Sequence, residues 1–333
     1  MVVKLCLTGL YLQYDIEIYS NIFLIRYYRR SALIKILFIR SKNAFLPEID
    51  AYVKFFNKTK EFRAFDSSQL AGEYNINDYD VIWEFKGFRG VKTKDKILIH
   101  EYASMSTGLF PKLKNNMKES INPKPNLRIF LNENVKKGFN FKDNIDYCYR
   151  DMGIDEKFID IDNKEKEYEY VYVGAVCKER GIDILLENFR EAGLGKICLV
   201  GNVEDRLYNA YKSNKNIVFT GKVPYAEVPQ IASRAIYGVN YIPNKHPFNI
   251  QTSTKLLEYL ALGLKVITTD YQWVREFENE NNCNFYKLSN NMTFEKNKIS
   301  KYNFVSNFNA RNFLWDNIIT KSKIKEKLMN IAI

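Results

Sequence analysis

The strongest constraint on the fold is an alternation that runs twice along the chain. Short apolar runs of strand length are separated by helix-like segments, the pattern that produces parallel sheets joined by crossover helices. In the first series the strand candidates are Ile34–Arg40 (IKILFIR), Tyr79–Phe85, Lys96–His100 and Leu127–Leu131, with a helical stretch at Glu48–Asn57. Near Asp151 the pattern restarts. A polar segment, DMGID (Asp151–Asp155), and an acidic stretch through Glu169 lead into Tyr170–Gly174, Ile197–Gly201, Ile217–Gly221, Ala235–Tyr241 and Leu264–Thr268. Two doubly wound α/β domains joined near residue 155 are the simplest account.

The 333 residues, 46% hydrophobic and 27% charged, give room for two soluble domains. A formal net charge of +11 points to an acidic partner, whether nucleic acid, an anionic membrane surface or a phosphorylated substrate. Five scattered cysteines (Cys6, Cys148, Cys177, Cys198 and Cys283) have no paired spacing, which argues against a disulfide framework or a zinc site and fits a reducing cytosol. With only His100 and His246 available, no transition-metal site is expected. Residues 1–33 read as an N-terminal extension. Met1–Leu10 has a faint signal-peptide look, but no early stretch is long and charge-free enough to span a bilayer. The extension is either a basic, aromatic surface for anionic lipid or a leader without a role.

Chemistry concentrates in His246–Asp270, HPFNIQTSTKLLEYLALGLKVITTD. Thr252, Ser253 and Thr254 stand where a helix would begin and are the residue types that cap its unpaired amides. Those amides and the helix dipole attract anions, and Lys255 adds a full charge against a diphosphate. Glu258, one turn on, can accept hydrogen bonds from ribose or sugar hydroxyls. Gly263 ends the helix before a buried strand. An ordinary capped amphipathic helix with a surface lysine and glutamate is the plainer alternative.

Three second-series strands end in glycine, where a strand gives way to a loop that could line a ligand crevice. In YVGAVCKERG (Tyr172–Gly181), Gly174 permits close backbone approach, Arg180 offers a fork of donors suited to a diphosphate, and Lys178 is a reserve cation. LVGN and FTGKVP repeat the arrangement, making Gly201, Asn202, Gly221, Lys222 and Val223 candidates for holding a nucleoside.

From Glu169 to Phe277 these pieces (YVGAVCKERGIDILLENF, LVGN, NIVFTGKVPYAEVPQI and TKLLEYLALGLKVITTD) resemble the GT-B-fold glycosyltransferases of family 4 type, many of which build bacterial surface polysaccharides. The resemblance implies GT-B architecture: two Rossmann-like, doubly wound domains facing each other across a cleft. Residues 34–154 would form the acceptor side and 155–303 the nucleotide-sugar side. A C-terminal helix within 304–333 often crosses back to the first domain in this fold. The resemblance further implies a nucleoside-diphosphate sugar as co-substrate, with Arg180 and Lys255 facing its diphosphate and Glu258 holding the ribose. Transfer would be to a hydroxyl of a lipid-linked or oligosaccharide acceptor, without a metal and with retention of configuration. The protein would lie in the cytoplasm, peripheral on the inner face of the membrane.

Departures bear on chemistry. The family's arginine after YVG is Ala175, and the first of its paired glutamates falls at Ile250, which leaves the donor sugar and the stereochemistry open. The glycine-rich loop often found after the first strand is replaced by SKNAFLPEID. In the first half, KILIHEYASMS places His100 and Glu101 at a strand end expected to face the cleft. There the histidine could shuttle a proton or bond a departing phosphate, and the carboxylate could take the acceptor's proton. A satisfied histidine at a strand end is the alternative. Tyr302–Ile331 is expected to be helical. A sugar-nucleotide epimerase of the same fold, an inactive assembly partner and a non-catalytic nucleic-acid-binding protein are the competing readings. No nucleic acid is expected, because the basic residues are spread rather than striped with aromatics.

Overall fold

The structure is a computed structural model that describes residues 33–332 except 42–44, 71–73, 87–89, 94, 107–109, 160, 162–164, 192 and 290. The N-terminal extension therefore lies outside the described residues, apart from Leu33.

The first half runs β1 (Ile34–Ile39), α1 (Pro47–Asn57), β2 (Phe62–Asp66), β3 (Val81–Phe85), β4 (Ile97–Tyr102), α2 (Pro111–Ile121), β5 (Leu127–Phe130), α3 (Glu133–Lys137) and β6 (Tyr147–Tyr149). The second runs β7 (Tyr168–Val173), α4 (Ile182–Glu187), β8 (Ile197–Val200), α5 (Asp205–Tyr211), β9 (Ile217–Gly221), α6 (Val228–Ala232), β10 (Ala235–Asn240), α7 (Thr254–Ala261), β11 (Lys265–Thr268), α8 (Gln272–Asn281), β12 (Tyr286–Lys287) and α9 (Lys296–Lys301). Two further helices, α10 (Trp315–Lys321) and α11 (Ile324–Ala332), close the chain.

Each half builds one six-stranded sheet, ordered β2-β1-β3-β4-β5-β6 and β12-β11-β10-β7-β8-β9. Neighbouring strands run parallel. Apolar runs such as VIW in β3 and ICLV in β8 suit strands covered on both faces. The architecture is GT-B, two Rossmann-like layers with a cleft between them. In each sheet the strand order reverses once, between β1 and β3 and between β7 and β10, and such reversals open crevices at the carboxyl ends of strands.

Local chemistry sets the helices at that edge. Pro47 occupies the first turn of α1, with Glu48 and Asp50 beside it and Lys54 in the last turn, which matches the helix dipole. Helix α7 stops in a Schellman arrangement: Gly263, at φ 69°, donates to the Leu260 carbonyl at 3.0 Å, and Leu264 donates to that of Tyr259 at 2.9 Å. A Cβ on Gly238 of β10 would come within 2.4 Å of the Tyr259 ring, so the missing side chain lets α7 settle onto the sheet.

Edge strands β2, β6 and β12 were not anticipated, because they are short and carry no sustained apolar run. The helix expected across Tyr302–Ile331 is confined to α10 and α11, preceded by a 3-10 turn at Ala310–Phe313. These last helices pack on the first sheet: Trp315, Ile319, Ile324 and Leu328 join the core of Phe38, Tyr52 and Trp83. The chain thus passes between the halves twice. The passages run side by side, Ile154 N–H donating to the Phe313 carbonyl at 2.9 Å and Trp315 N–H to that of Ile154 at 3.2 Å.

Trp315→Ala is expected to cost about 3–5 kcal/mol, read as a lower urea midpoint, because it empties the seat of α10. Removing the exposed Lys58–Asp316 pair should change stability by less than about 1 kcal/mol.

Candidate active site

A cleft of about 1020 Å³ lies between the two sheets. Its first-half wall comprises Phe45, Pro47, Glu48 and Ala103. The second half supplies Gly174, Ala175, Arg180, Gly201, Asn202, Lys222, Val223, Tyr225, Thr252, Ser253, Thr254, Lys255 and Glu258. These residues follow β7, β8, β9 and β10, so the strand-order reversal gathers segments far apart in sequence. Gly201 marks the closest approach: at φ 147°, a Cβ there would stand 2.1 Å from the Gly174 carbonyl oxygen. Lys178 and Gly221 are outside this lining. Lys178 is exposed, its backbone N–H held by Glu204 at 3.0 Å. The Gly221 carbonyl accepts from Gly201 N–H at 3.0 Å.

The hydroxyl cluster is placed as expected but bonded differently. Ser253 is the N-cap of α7, yet its side chain does not cap the helix. It donates to Asn240 Oδ1 at 2.7 Å, and Asn240 donates in turn to Thr268 Oγ1 at 3.0 Å and to the Tyr271 hydroxyl at 2.9 Å. Thr252 donates to Asp151 Oδ1, which pins the loop to the junction between the halves. The first-turn amides of α7 are consequently left without a side-chain cap.

Lys255 and Glu258 carry the electrostatics. The Lys255 ammonium is buried and, among the described residues, has no hydrogen-bond partner, resting 4.4 Å from the centroid of the Tyr172 ring. Burial, and then the nearby charge of Arg180, pull its pKa down to about 7. Glu258 accepts from the Tyr225 hydroxyl at 2.5 Å, and burial lifts its pKa to about 7. An unpartnered buried ammonium at a helix start, with Arg180 and Lys222 on the same wall, is arranged to receive an anion.

His100 and Glu101 correct the expectation for the first half: neither lines the cleft. Both lie inside β4, 0% and 1% exposed, on opposite faces of the sheet. His100 Nε2 is 3.6 Å from Glu84 Oε2, and burial lowers its pKa, so the ring is neutral at pH 7. Glu101 is paired with Arg150 and accepts from Trp83 Nε1 at 2.8 Å. Arg150, fully buried, also bonds the Tyr52 hydroxyl at 3.1 Å and approaches Glu48 at 3.7 Å. The cleft begins two residues beyond Glu101, at Ala103.

Glu48, Tyr225 and Asp151 were missed. A signal existed for Glu48: PEID after the first strand is a helix start, and helix starts after parallel strands sit at the cleft edge. Ile250, where the family's first glutamate would stand, packs against the first-half cluster of Tyr102, Phe130 and Phe139. An apolar contact between the halves occupies that position. Among the described residues, no group of three or more histidine, cysteine, aspartate and glutamate side chains could hold a metal ion.

Comparison with known proteins agrees with this fold. Residues 167–294 match the family model described as Glycosyl transferases group 1. Among solved structures, sucrose-phosphate synthase from Thermosynechococcus elongatus superposes with a TM-score of 0.63 at 11% identity, covering 90% of this chain and 100% of that one. AviGT4, a glycosyltransferase involved in avilamycin A biosynthesis, gives 0.58 at 12% identity over 90% and 98%. A putative UDP-N-acetylglucosamine 2-epimerase from Listeria monocytogenes gives 0.52 at 10% identity over 90% and 98%. No curated protein matches the sequence. Residues 167–294 are thus similar to the group 1 glycosyltransferases, and the whole chain shares the GT-B fold of these structures. At such low identities the superpositions speak for the fold alone.

Two outcomes are expected. Arg150→Met, which leaves Glu101 and Glu48 buried without their cation, should cost roughly 3–5 kcal/mol of unfolding free energy in chemical denaturation. Lys255→Met should stabilise the ligand-free protein, and most of all below pH 7. The penalty of burying the charged lysine is full below its folded value of about 7 and fades as pH rises toward the ordinary 10.5. Thermal melts on both sides of pH 7 measure this.

Proposed function

We propose that the protein is a glycosyltransferase that moves a sugar from a nucleoside-diphosphate donor to a hydroxyl of a saccharide acceptor. The observation that carries this reading is the buried, unpartnered Lys255 ammonium at the start of α7, inside the segment matching the group 1 glycosyltransferases. The diphosphate would lie against the α7 amides between Lys255 and Arg180. Charge building on the leaving group would be neutralised by these fixed cations, the contribution a metal makes elsewhere, and we propose that none is needed. Ribose hydroxyls would bond Glu258 in place of Tyr225. The nucleoside would follow the wall of Gly201, Asn202, Lys222 and Val223. The acceptor would enter from the side of Phe45, Glu48 and Ala103.

We assign retention of configuration, a lipid-linked acceptor and a role in cell-surface polysaccharide synthesis on the strength of the family resemblance. Residence at the cytoplasmic face of a membrane goes with such an acceptor. No helix among the described residues is long and apolar enough to cross a membrane. Epimerisation is the less favoured reading. It requires acid and base groups around the donor sugar, and of the two carboxylates among the described cleft-lining residues Glu48 faces Arg150 and Glu258 is assigned here to the ribose.

Thermal melts against UDP, GDP, dTDP, CDP and ADP should single out one diphosphate by a raised midpoint. Lys255→Ala and Glu258→Ala should each weaken that binding roughly 10- to 100-fold. Unchanged affinity in both variants would remove the site. Affinity should also fall as pH rises above about 7, since a bound diphosphate requires Lys255 to regain its proton. With the matching sugar nucleotide alone, an epimerase would interconvert the sugar, whereas the transferase should leave it intact until an acceptor is added.

A further inference from the structure

The two charged groups at the start of α7 are prepared differently for a ligand. Among the described residues nothing bonds the Lys255 ammonium, whereas Glu258 already has a donor, the Tyr225 hydroxyl at 2.5 Å from its Oε1. Glu258 is 5% exposed, so its carboxylate depends on such a donor when the cleft is empty. Tyr225 belongs to the 3-10 turn Tyr225–Glu227 that follows β9. Two other rings hold it, Phe45 of the first half at 5.2 Å between centroids and Phe158 at 5.5 Å. Packing as well as the hydrogen bond thus aims the phenol at Glu258.

Tyr225 also stands between two spaces. It lines the cleft and a second, smaller cavity of about 300 Å³, whose other walls include Pro47, Ala51, Ile154, Leu314 and Trp315. The ring therefore has room to withdraw from Glu258 toward the line where the two halves join.

We propose that Tyr225 is a gate: its hydroxyl occupies the ribose half of the donor site until a vicinal diol displaces it, and this restricts the donor to ribonucleotides. The proposal rests on the donor reading given above. Selectivity follows from the count of hydrogen bonds. A ribose offers Glu258 two adjacent hydroxyls, two bonds against the one that is broken. A 2′-deoxyribose offers one and gains nothing by the exchange. A sugar with neither hydroxyl, or a bare diphosphate, leaves Tyr225 in place and uses only the cationic half formed by Lys255 and Arg180.

The test is calorimetric titration of the full-length chain and of its Tyr225→Phe variant with three probes. They are the ribonucleoside diphosphate that wild type binds best among UDP, GDP, CDP and ADP, the 2′,3′-dideoxy form of the same nucleotide, and inorganic pyrophosphate. Phenylalanine keeps the ring against Phe45 and Phe158 and removes only the hydroxyl. The variant should bind the ribonucleotide about tenfold more tightly, because one hydrogen bond to a carboxylate no longer has to be broken. Its affinity for the dideoxy form and for pyrophosphate should equal that of wild type, which also shows that it is folded. Equal ribonucleotide affinity in the two proteins, or a gain shared by all three probes, would overturn the gate and leave the donor site standing. So would dTDP as the tightest diphosphate of wild type. Failure of all three probes to bind either protein would remove the donor reading, and the gate with it.

Discussion

The organisation of the molecule depends on one buried cation. Arg150 directly follows the last strand of the first sheet and is fully buried from solvent. Burial alone would lower its pKa, but Glu101, Tyr52 and Glu48 raise it, so the guanidinium is held charged. Its partners come from two elements: Glu101 from β4, Tyr52 and Glu48 from α1. The face of Trp315, from α10, lies 5.5 Å away. A charge desolvated this completely is stable only while all these partners are present, which fixes the acidic start of α1 at the cleft. The next residue, Asp151, holds Thr252 and thereby the loop that precedes α7. Two consecutive residues thus position both walls of the site.

The site inverts the usual relation between capping and stability. Serine and threonine at the start of α7 are the residues that would normally satisfy its amides, yet their hydroxyls are drawn off to Asn240 and Asp151. The donors they leave, and the lysine beside them, form a positive pocket in which, among the described residues, nothing bonds the ammonium. A buried ammonium without a partner costs free energy in the absence of ligand, and an anionic ligand can recover it on binding.

Much of this was legible in the sequence because it is written in contiguous segments. Central strands announce themselves as apolar runs, and their order, together with glycines at their ends, points to a crevice lined by Gly174, Gly201 and the start of α7. What was not legible depends on residues distant in the chain. His100 and Glu101 look like a polar strand end exposed at a cleft, but Glu101 is satisfied by Arg150, 49 positions away, and His100 faces Glu84 from the neighbouring strand. Tyr225 reaches Glu258 across 33 positions. No local pattern encodes such pairs. Edge strands escaped for the opposite reason: being short and half-covered, they need no apolar run to form.

The doubled passage of the chain between the halves has a mechanical meaning. Where Ile154 and Leu314 pair, the connection is a narrow two-stranded ribbon and not a single flexible thread. A ribbon bends readily across its face but resists stretching and sliding along its length. Such a ribbon favours rotation of the halves about that line, a motion in which the cleft would open and shut like a book.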